Sequence, residues 1–171
     1  MNAPLVVILM GSGADEAHSS KIAAAVRAFG IEAVMRVGSA HKTPGHVSAL
    51  LAAYEADGRP KVYITVAGRS NALSGFVDGS VLSPVIACPP ESPAFGGADL
   101  YSSLRMPSGI APALVLEPAN AALLAAKILG LCDASVAKAV AAFLAENSAA
   151  ILAADKALNQ GTEQVPQAAT P

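Results

Sequence analysis

Two kinds of apolar pattern alternate along this chain. Leu5-Val6-Val7-Ile8-Leu9-Met10 and Lys61-Val62-Tyr63-Ile64-Thr65-Val66-Ala67 are short, nearly continuous apolar runs rich in β-branched residues. Such a run predicts a strand covered on both faces, as at the centre of a parallel sheet. Between them Ile22, Val26 and Phe29 recur at helical spacing, which predicts a helix over 16–29 that Gly30 ends. The same reading predicts further strands over 32–37, 85–87 and 113–116. It places a helix from Pro44 to about Asp57, broken by Gly58-Arg59-Pro60, and a short one ending near Gly79. Another short helix is expected over 99–105, and Ala/Leu-rich helices over 120–131 and 134–158. The Pro-, Gly- and Ser-rich stretch from Cys88 to Gly97 reads as a loop.

Strands alternating with helices at these spacings imply an α/β domain, a three-layer αβα arrangement around a doubly wound parallel sheet with right-handed crossovers. One domain is expected over 1–158, with the last helices as a C-terminal extension and a flexible tail over 159–171. In such sheets ligands bind beyond the carboxyl ends of the strands, near the point where strand order reverses. Three loops are delivered to that edge: Gly11-Ser12-Gly13-Ala14-Asp15, Ser39-Ala40-His41-Lys42-Thr43-Pro44 and Gly68-Arg69-Ser70-Asn71-Ala72-Leu73.

Composition adds an assembly. Apolar residues make up 53% of the 171 and charged residues 14%, against the roughly one quarter usual for a soluble domain. So much apolar surface on a modest domain points to burial between subunits, hence a homo-oligomer. A net charge of -2 without any Lys/Arg run gives no reason to expect a nucleic-acid partner. Cys88 and Cys132 lack metal-ligand spacing and read as free thiols. No basic region precedes Leu5, and the run that follows is too short for a signal core or a membrane span. A soluble cytoplasmic protein with no membrane partner is expected.

The loops carry the candidate chemistry. The first offers backbone N–H groups at a helix N-terminus, a cradle for phosphate, but lacks the lysine of a P-loop and the third glycine of a dinucleotide fingerprint. Ser12 is placed to donate to a phosphate oxygen; Asp15 suits either ribose hydroxyls or a simple helix cap. In the second loop His41 can take and return a proton, and Lys42 beside it can neutralise a phosphate. His18 and His46 fall inside predicted helices and read as residues of solvated faces. The third loop supplies donors but no carboxylate pair, and no catalytic triad or metal cluster is evident. A cofactor-free reaction with one acid/base and many hydrogen-bond donors fits these residues.

Taken in order, these loops resemble the PurE family of purine biosynthesis, the aminoimidazole ribonucleotide carboxylases and mutases. The resemblance runs from about Leu5 to Leu158 and includes Met10-Gly11-Ser12, Ser39-Ala40-His41-Lys42-Thr43, Ser102-Ser103-Leu104-Arg105-Met106-Pro107-Ser108-Gly109 and Asn120-Ala121-Ala122-Leu123-Leu124-Ala125-Ala126. It implies a flavodoxin-like sheet and, in this family, usually a homo-octamer in which neighbouring subunits complete each pocket. Mutases typically carry a Gly-Gly-Ala-Ala-His-Leu-Pro-Gly type of segment after the third strand. Here Gly68-Arg69-Ser70-Asn71-Ala72-Leu73-Ser74-Gly75 has no histidine, like the class II enzymes that use carbon dioxide directly. Tyr101-Ser102-Ser103-Leu104-Arg105 and Val115-Leu116-Glu117-Pro118 also look like class II segments. One departure stands in the first loop, where Ala14 replaces the family's second serine.

The resemblance implies reversible, metal-independent carboxylation of 5-aminoimidazole ribonucleotide at C4. His41 would move the proton. Gly11, Ser12, Ser39, Ala40 and Lys42 would hold the phosphate, and Asp15 the ribose. Gly68, Arg69, Ser70, Asn71, Ala72 and Leu73 would wall the base and the carbon dioxide. The alternatives are a mutase acting on the N5-carboxylated nucleotide and a non-catalytic nucleotide- or flavin-binding module on the same fold.

Overall fold

A computed structural model describes residues 3–92 and 94–159. Five parallel strands, β1 (Leu5–Met10), β2 (Glu32–Val37), β3 (Lys61–Val66), β4 (Val85–Ala87) and β5 (Ala113–Leu114), form one sheet in the order β2-β1-β3-β4-β5. This is the flavodoxin-like order, and the doubly wound reading holds. The helices are α1 (Glu16–Ala28), α2 (Pro44–Ala56), α3 (Ala72–Asp78), α4 (Tyr101–Leu104), α5 (Pro118–Leu129) and α6 (Ala134–Asn159).

The continuous apolar runs have a simple cause. Side chains alternate across a strand, so a strand with helices on both sides needs apolar residues at every position. Val6, Ile8 and Met10 pack with Ile22, Val26, Ala122 and Ala126 in one layer, against α1 and α5. Leu5, Val7 and Leu9 pack with Val47, Leu51, Leu73 and Val77 in the other, against α2 and α3. All six residues of β1 and of β3 are buried. Gly30 closes α1 at φ +74°, a left-handed conformation that costs glycine least.

Two expectations need correction. The stretch read as a loop as far as Gly97 is partly helical: a 3-10 turn spans Ala94–Leu100 and runs directly into α4. Its glycines, Gly96 (φ +59°) and Gly97 (φ +79°), sit in left-handed conformations inside the turn, so composition alone pointed away from it. The fifth strand is two residues long rather than four. The chain divides into two compact units, Met1–Val140 and Ala141–Pro171, and α6 belongs to both. In the second unit residues 141–159 are helical and exposed throughout, Ile151, Leu152 and Leu158 included. Of the tail expected over 159–171, Asn159 is the last residue of α6 and 160–171 lie outside the described residues.

Candidate active site

The three loops leave adjacent strands. β1 lies between β2 and β3, and the chain reverses its direction across the sheet there. Backbone bonds continue the ladder past the strand ends: Gly11 N–H donates to Val66 O at 2.8 Å, and Gly38 N–H to Met10 O at 2.9 Å. The loops therefore start side by side at the switch point.

In the first loop Ser12 and Asp15 bond reciprocally. Ala14 N–H donates to Ser12 Oγ (3.0 Å), while Ser12 N–H donates to Asp15 Oδ2 (3.1 Å). This satisfies donors that a helix start otherwise leaves open. Burial raises the pKa of Asp15 above the ordinary carboxylate value, against the lowering effects of the Ser12 N–H and His18.

The second loop is wound on Ser39. Thr43 N–H donates to Ser39 O (2.9 Å), Ser39 N–H to Thr43 Oγ1 (3.0 Å) and Lys42 N–H to Ser39 Oγ (3.2 Å). This knot leaves His41 and Lys42 at its exposed tip. Its base is tight: a Cβ on Gly38 would stand 2.8 Å from Val47 Cγ2.

The third loop is held from outside. Arg69 has a left-handed backbone (φ +61°), and its N–H donates to Asp99 Oδ2 at 3.1 Å. Asn71 N–H donates to Ser102 Oγ (2.9 Å) and Asn71 Nδ2 to Ser103 Oγ (2.8 Å), while Asn71 Oδ1 accepts from Ser74 N (3.2 Å). The Asn71 amide is thus spent within the protein, and Leu73 is part of the buried core.

An open cavity of about 1120 Å³ lies at the ends of β3 and β4, with Asp15, His18, Gly68, Arg69, Asp99 and Glu117 in its walls. Ser70, Asn71 and Ala72 face a separate hollow of about 300 Å³ beside Met106 and Pro107. Gly11, Ser12, Ser39, Ala40, His41 and Lys42 line neither. The structure thus brings Asp15, Gly68 and Arg69 into one cavity and leaves the His41 tip exposed at the neighbouring strand end. Among the described residues no group of three or more His, Cys, Asp or Glu stands ready for a metal ion.

His18 is the residue that reading the sequence passed over. It is half-buried in the cavity wall, with Nε2 3.5 Å from Cys88 Sγ, not on a solvated face. Burial holds the ring below the ordinary histidine range; the Cys88 backbone, Asp15 and Glu117 oppose that shift and Lys21 adds to it. A signal was present: His18 continues the Ile22–Val26 stripe by one helical turn, on the face that α1 turns to the sheet.

Known proteins share this fold and much of this sequence. The AIR carboxylase family model matches residues 5–151. A phosphoribosylaminoimidazole carboxylase of Treponema denticola is 59% identical over 157 residues, covering 92% of this chain and 99% of that protein. One of Archaeoglobus fulgidus is 54% identical over 152 residues, covering 89% of this chain and 83% of its own. The crystal structure of Treponema denticola PurE superposes with a TM-score of 0.90 at 59% identity, over 92% of this chain and 99% of that one.

Proposed function

The chain belongs to the AIR carboxylase family, and on that premise we propose that it carboxylates 5-aminoimidazole ribonucleotide at C4 with carbon dioxide, a reversible step of purine biosynthesis. The observation that carries this reading is the convergence of the three loops on adjacent strand ends at the switch point. This supports a site that combines a phosphate cradle, an acid/base and a walled cavity at one edge of the sheet.

The chemistry follows from the substrate. Its exocyclic amine pushes electron density onto C4, and that carbon attacks carbon dioxide, forming a C–C bond while one C=O π pair moves to oxygen. C4 then carries both a hydrogen and a carboxylate. His41 takes the C4 proton, the C–H electron pair restores the aromatic ring, and 4-carboxyaminoimidazole ribonucleotide results. In reverse His41 returns the proton and the carboxylate leaves as carbon dioxide.

The hydroxyls of Ser12 and Ser39, whose oxygens accept from Ala14 N–H and Lys42 N–H and whose O–H groups stay free to donate, hold the phosphate with Lys42, between the backbone of Gly11 and Ala40. Lys42 is exposed and acts as a point charge. Asp15 keeps Oδ1 for the ribose, because the capping bond uses Oδ2. Gly68 and Arg69 wall the base directly; Ser70, Asn71, Ala72 and Leu73 set the shape of that wall from behind. Anchoring phosphate and ribose lets remote binding energy organise a weakly bound gas.

The exposure of His41 and Lys42 outside the cavity supports a site completed by a neighbouring subunit. Exposed Tyr101, Leu104 and Leu116 support a homo-oligomer, as does the apolar surface of 141–159, and an octamer is the family's usual count. By length and composition α6 is able to cross a membrane, but Lys138, Glu146, Asp155 and Lys156 along it suit a subunit contact in a cytoplasmic enzyme better.

Substrate choice tests the reading. Purified protein is given 5-aminoimidazole ribonucleotide with bicarbonate-derived carbon dioxide, and separately the N5-carboxylated nucleotide. Carboxylation of the first is expected; consumption of the second alone makes the protein a mutase, and a yellow, inactive preparation makes it a flavin-binding module.

A further inference from the structure

The reaction as described does not use His18 or Cys88, yet the two meet where His18 lines the cavity wall and Cys88 lies buried behind it. Cys88 follows β4, is fully buried, and is tied to the sheet by its N–H to Thr65 O at 2.9 Å. Its sulfur has two polar neighbours, the Leu116 carbonyl at 3.6 Å and His18 Nε2 at 3.5 Å. The proton count decides the tautomer. Burial, helped by the charge of Glu117, pushes the thiol up to about 12, so it keeps its single proton. The Leu116 carbonyl can only accept, so satisfying it takes the S–H. The proton between sulfur and ring must then come from Nε2.

With the hydrogen on Nε2 and the ring neutral, Nδ1 carries a free lone pair. No bond to Nδ1 occurs among the described residues, and His18 lines the cavity. Asp15, at the mouth of α1, is the ribose acceptor; His18 lies one turn further along the same helix, over the strand end that carries Cys88 and beside Gly68 of the base wall. A nucleotide held through its ribose by Asp15 can turn the exocyclic amine of its base, a hydrogen-bond donor, toward this part of the wall.

We propose that His18 Nδ1 accepts a hydrogen bond from the amine of the aminoimidazole, with Cys88 fixing the ring from behind. The proposal rests on the carboxylase reading and deepens it. An acceptor on the amine favours the nucleotide that carries one and leaves the nitrogen pair more available to C4. His18 is then a specificity residue for the ring that is carboxylated.

The test separates the two ring nitrogens and the two halves of the ligand. In His18→Asn the amide carbonyl overlays Nδ1; in His18→Gln the amide overlays Nε2 and keeps the contact to Cys88. Each variant, checked for wild-type melting, is titrated with 5-aminoimidazole ribonucleotide and with the amine-free imidazole ribonucleotide, and kcat and KM for carboxylation are measured. His18→Gln is expected to bind the amine-bearing nucleotide about tenfold more weakly, the scale of one lost hydrogen bond, and the amine-free one as the wild type does. His18→Asn is expected to stay within about threefold of wild type for both ligands. Equal weakening for both ligands overturns the proposal, since the contact is then to ribose or to the fold. A fully active His18→Gln overturns it too. Wild-type protein that binds the nucleotide but never carboxylates it overturns the carboxylase reading instead.

Discussion

Asp99 Oδ2 accepts the backbone N–H of Arg69 at 3.1 Å, and Arg69 is the one described non-glycine residue with a positive φ. A left-handed arginine costs roughly 1–2 kcal/mol and persists only where the surroundings hold it. Asp99→Ala is therefore expected to lower kcat/KM about tenfold, through loss of one charge-assisted bond, with little change in melting. Arg69→Gly in the same background removes the strain, and partial recovery of kcat identifies the loop conformation as the cause. Steady-state kinetics of the single and double variants check this; unchanged kinetics for Asp99→Ala would sink it.

His41 stands at the exposed tip of a knotted loop, so replacing it disturbs no packing. His41→Asn is expected to bind the nucleotide as before and lose turnover by about 10²–10⁴-fold, the usual contribution of a general acid or base. Calorimetric titration beside a carboxylation assay checks both halves. Near-normal turnover would remove His41 from the chemistry.

Gly38 joins β2 to that loop with no room for a methyl group, because Val47 Cγ2 would stand 2.8 Å from a new Cβ. Val47 is fully buried and β-branched, so it has little freedom to turn away. Gly38→Ala is expected to cost about 1–3 kcal/mol and to reduce kcat as the His41 tip shifts. Denaturant melts and initial rates on the same preparation decide; a stable, fully active variant contradicts it.

Glu55 links α2 to the far end of β3 and to the turn before β4. Its carboxylate accepts from Tyr63 Oη (3.0 Å), Ser83 Oγ (2.9 Å) and Leu82 N (3.1 Å). Burial pushes its pKa up, but the bonds from Ser83, Leu82 and Tyr63 together outweigh burial, and the net value falls below that of an ordinary glutamate. A carboxyl depressed on folding stabilises above its unfolded pKa, about 4.3, and that contribution fades as pH falls through the lower folded value. Glu55→Gln is expected to melt about 2–4 °C lower at pH 7 and to approach the wild type as pH drops below about 4. A gap between the two melting curves that widens in acid would refute this.

The fold was legible wherever one residue's neighbours in sequence decide its environment. Runs such as Leu5–Met10 state that both faces are covered, and the helical spacing of Ile22, Val26 and Phe29 states where α1 turns. Strand order then follows from right-handed crossovers and short connections. The 3-10 turn over Ala94–Leu100 was not legible, because its glycines and neighbouring prolines read as loop and its anchors, Asp99 to Arg69 and Ser102 to Asn71, are thirty residues away.

The sequence by itself determined the α/β architecture, the three loops at one edge and the family resemblance carried by their motifs. Only the tertiary structure decided how those loops share the work. It gathered Asp15, Gly68 and Arg69 around a cavity, left His41 at the exposed tip of its knot, and turned His18 from a solvated face onto Cys88. The physical reason is range. Apolar periodicity is written between residues three or four apart, whereas the His18–Cys88 contact joins residues seventy apart and exists only after the sheet has brought the ends of β1, β3 and β4 together.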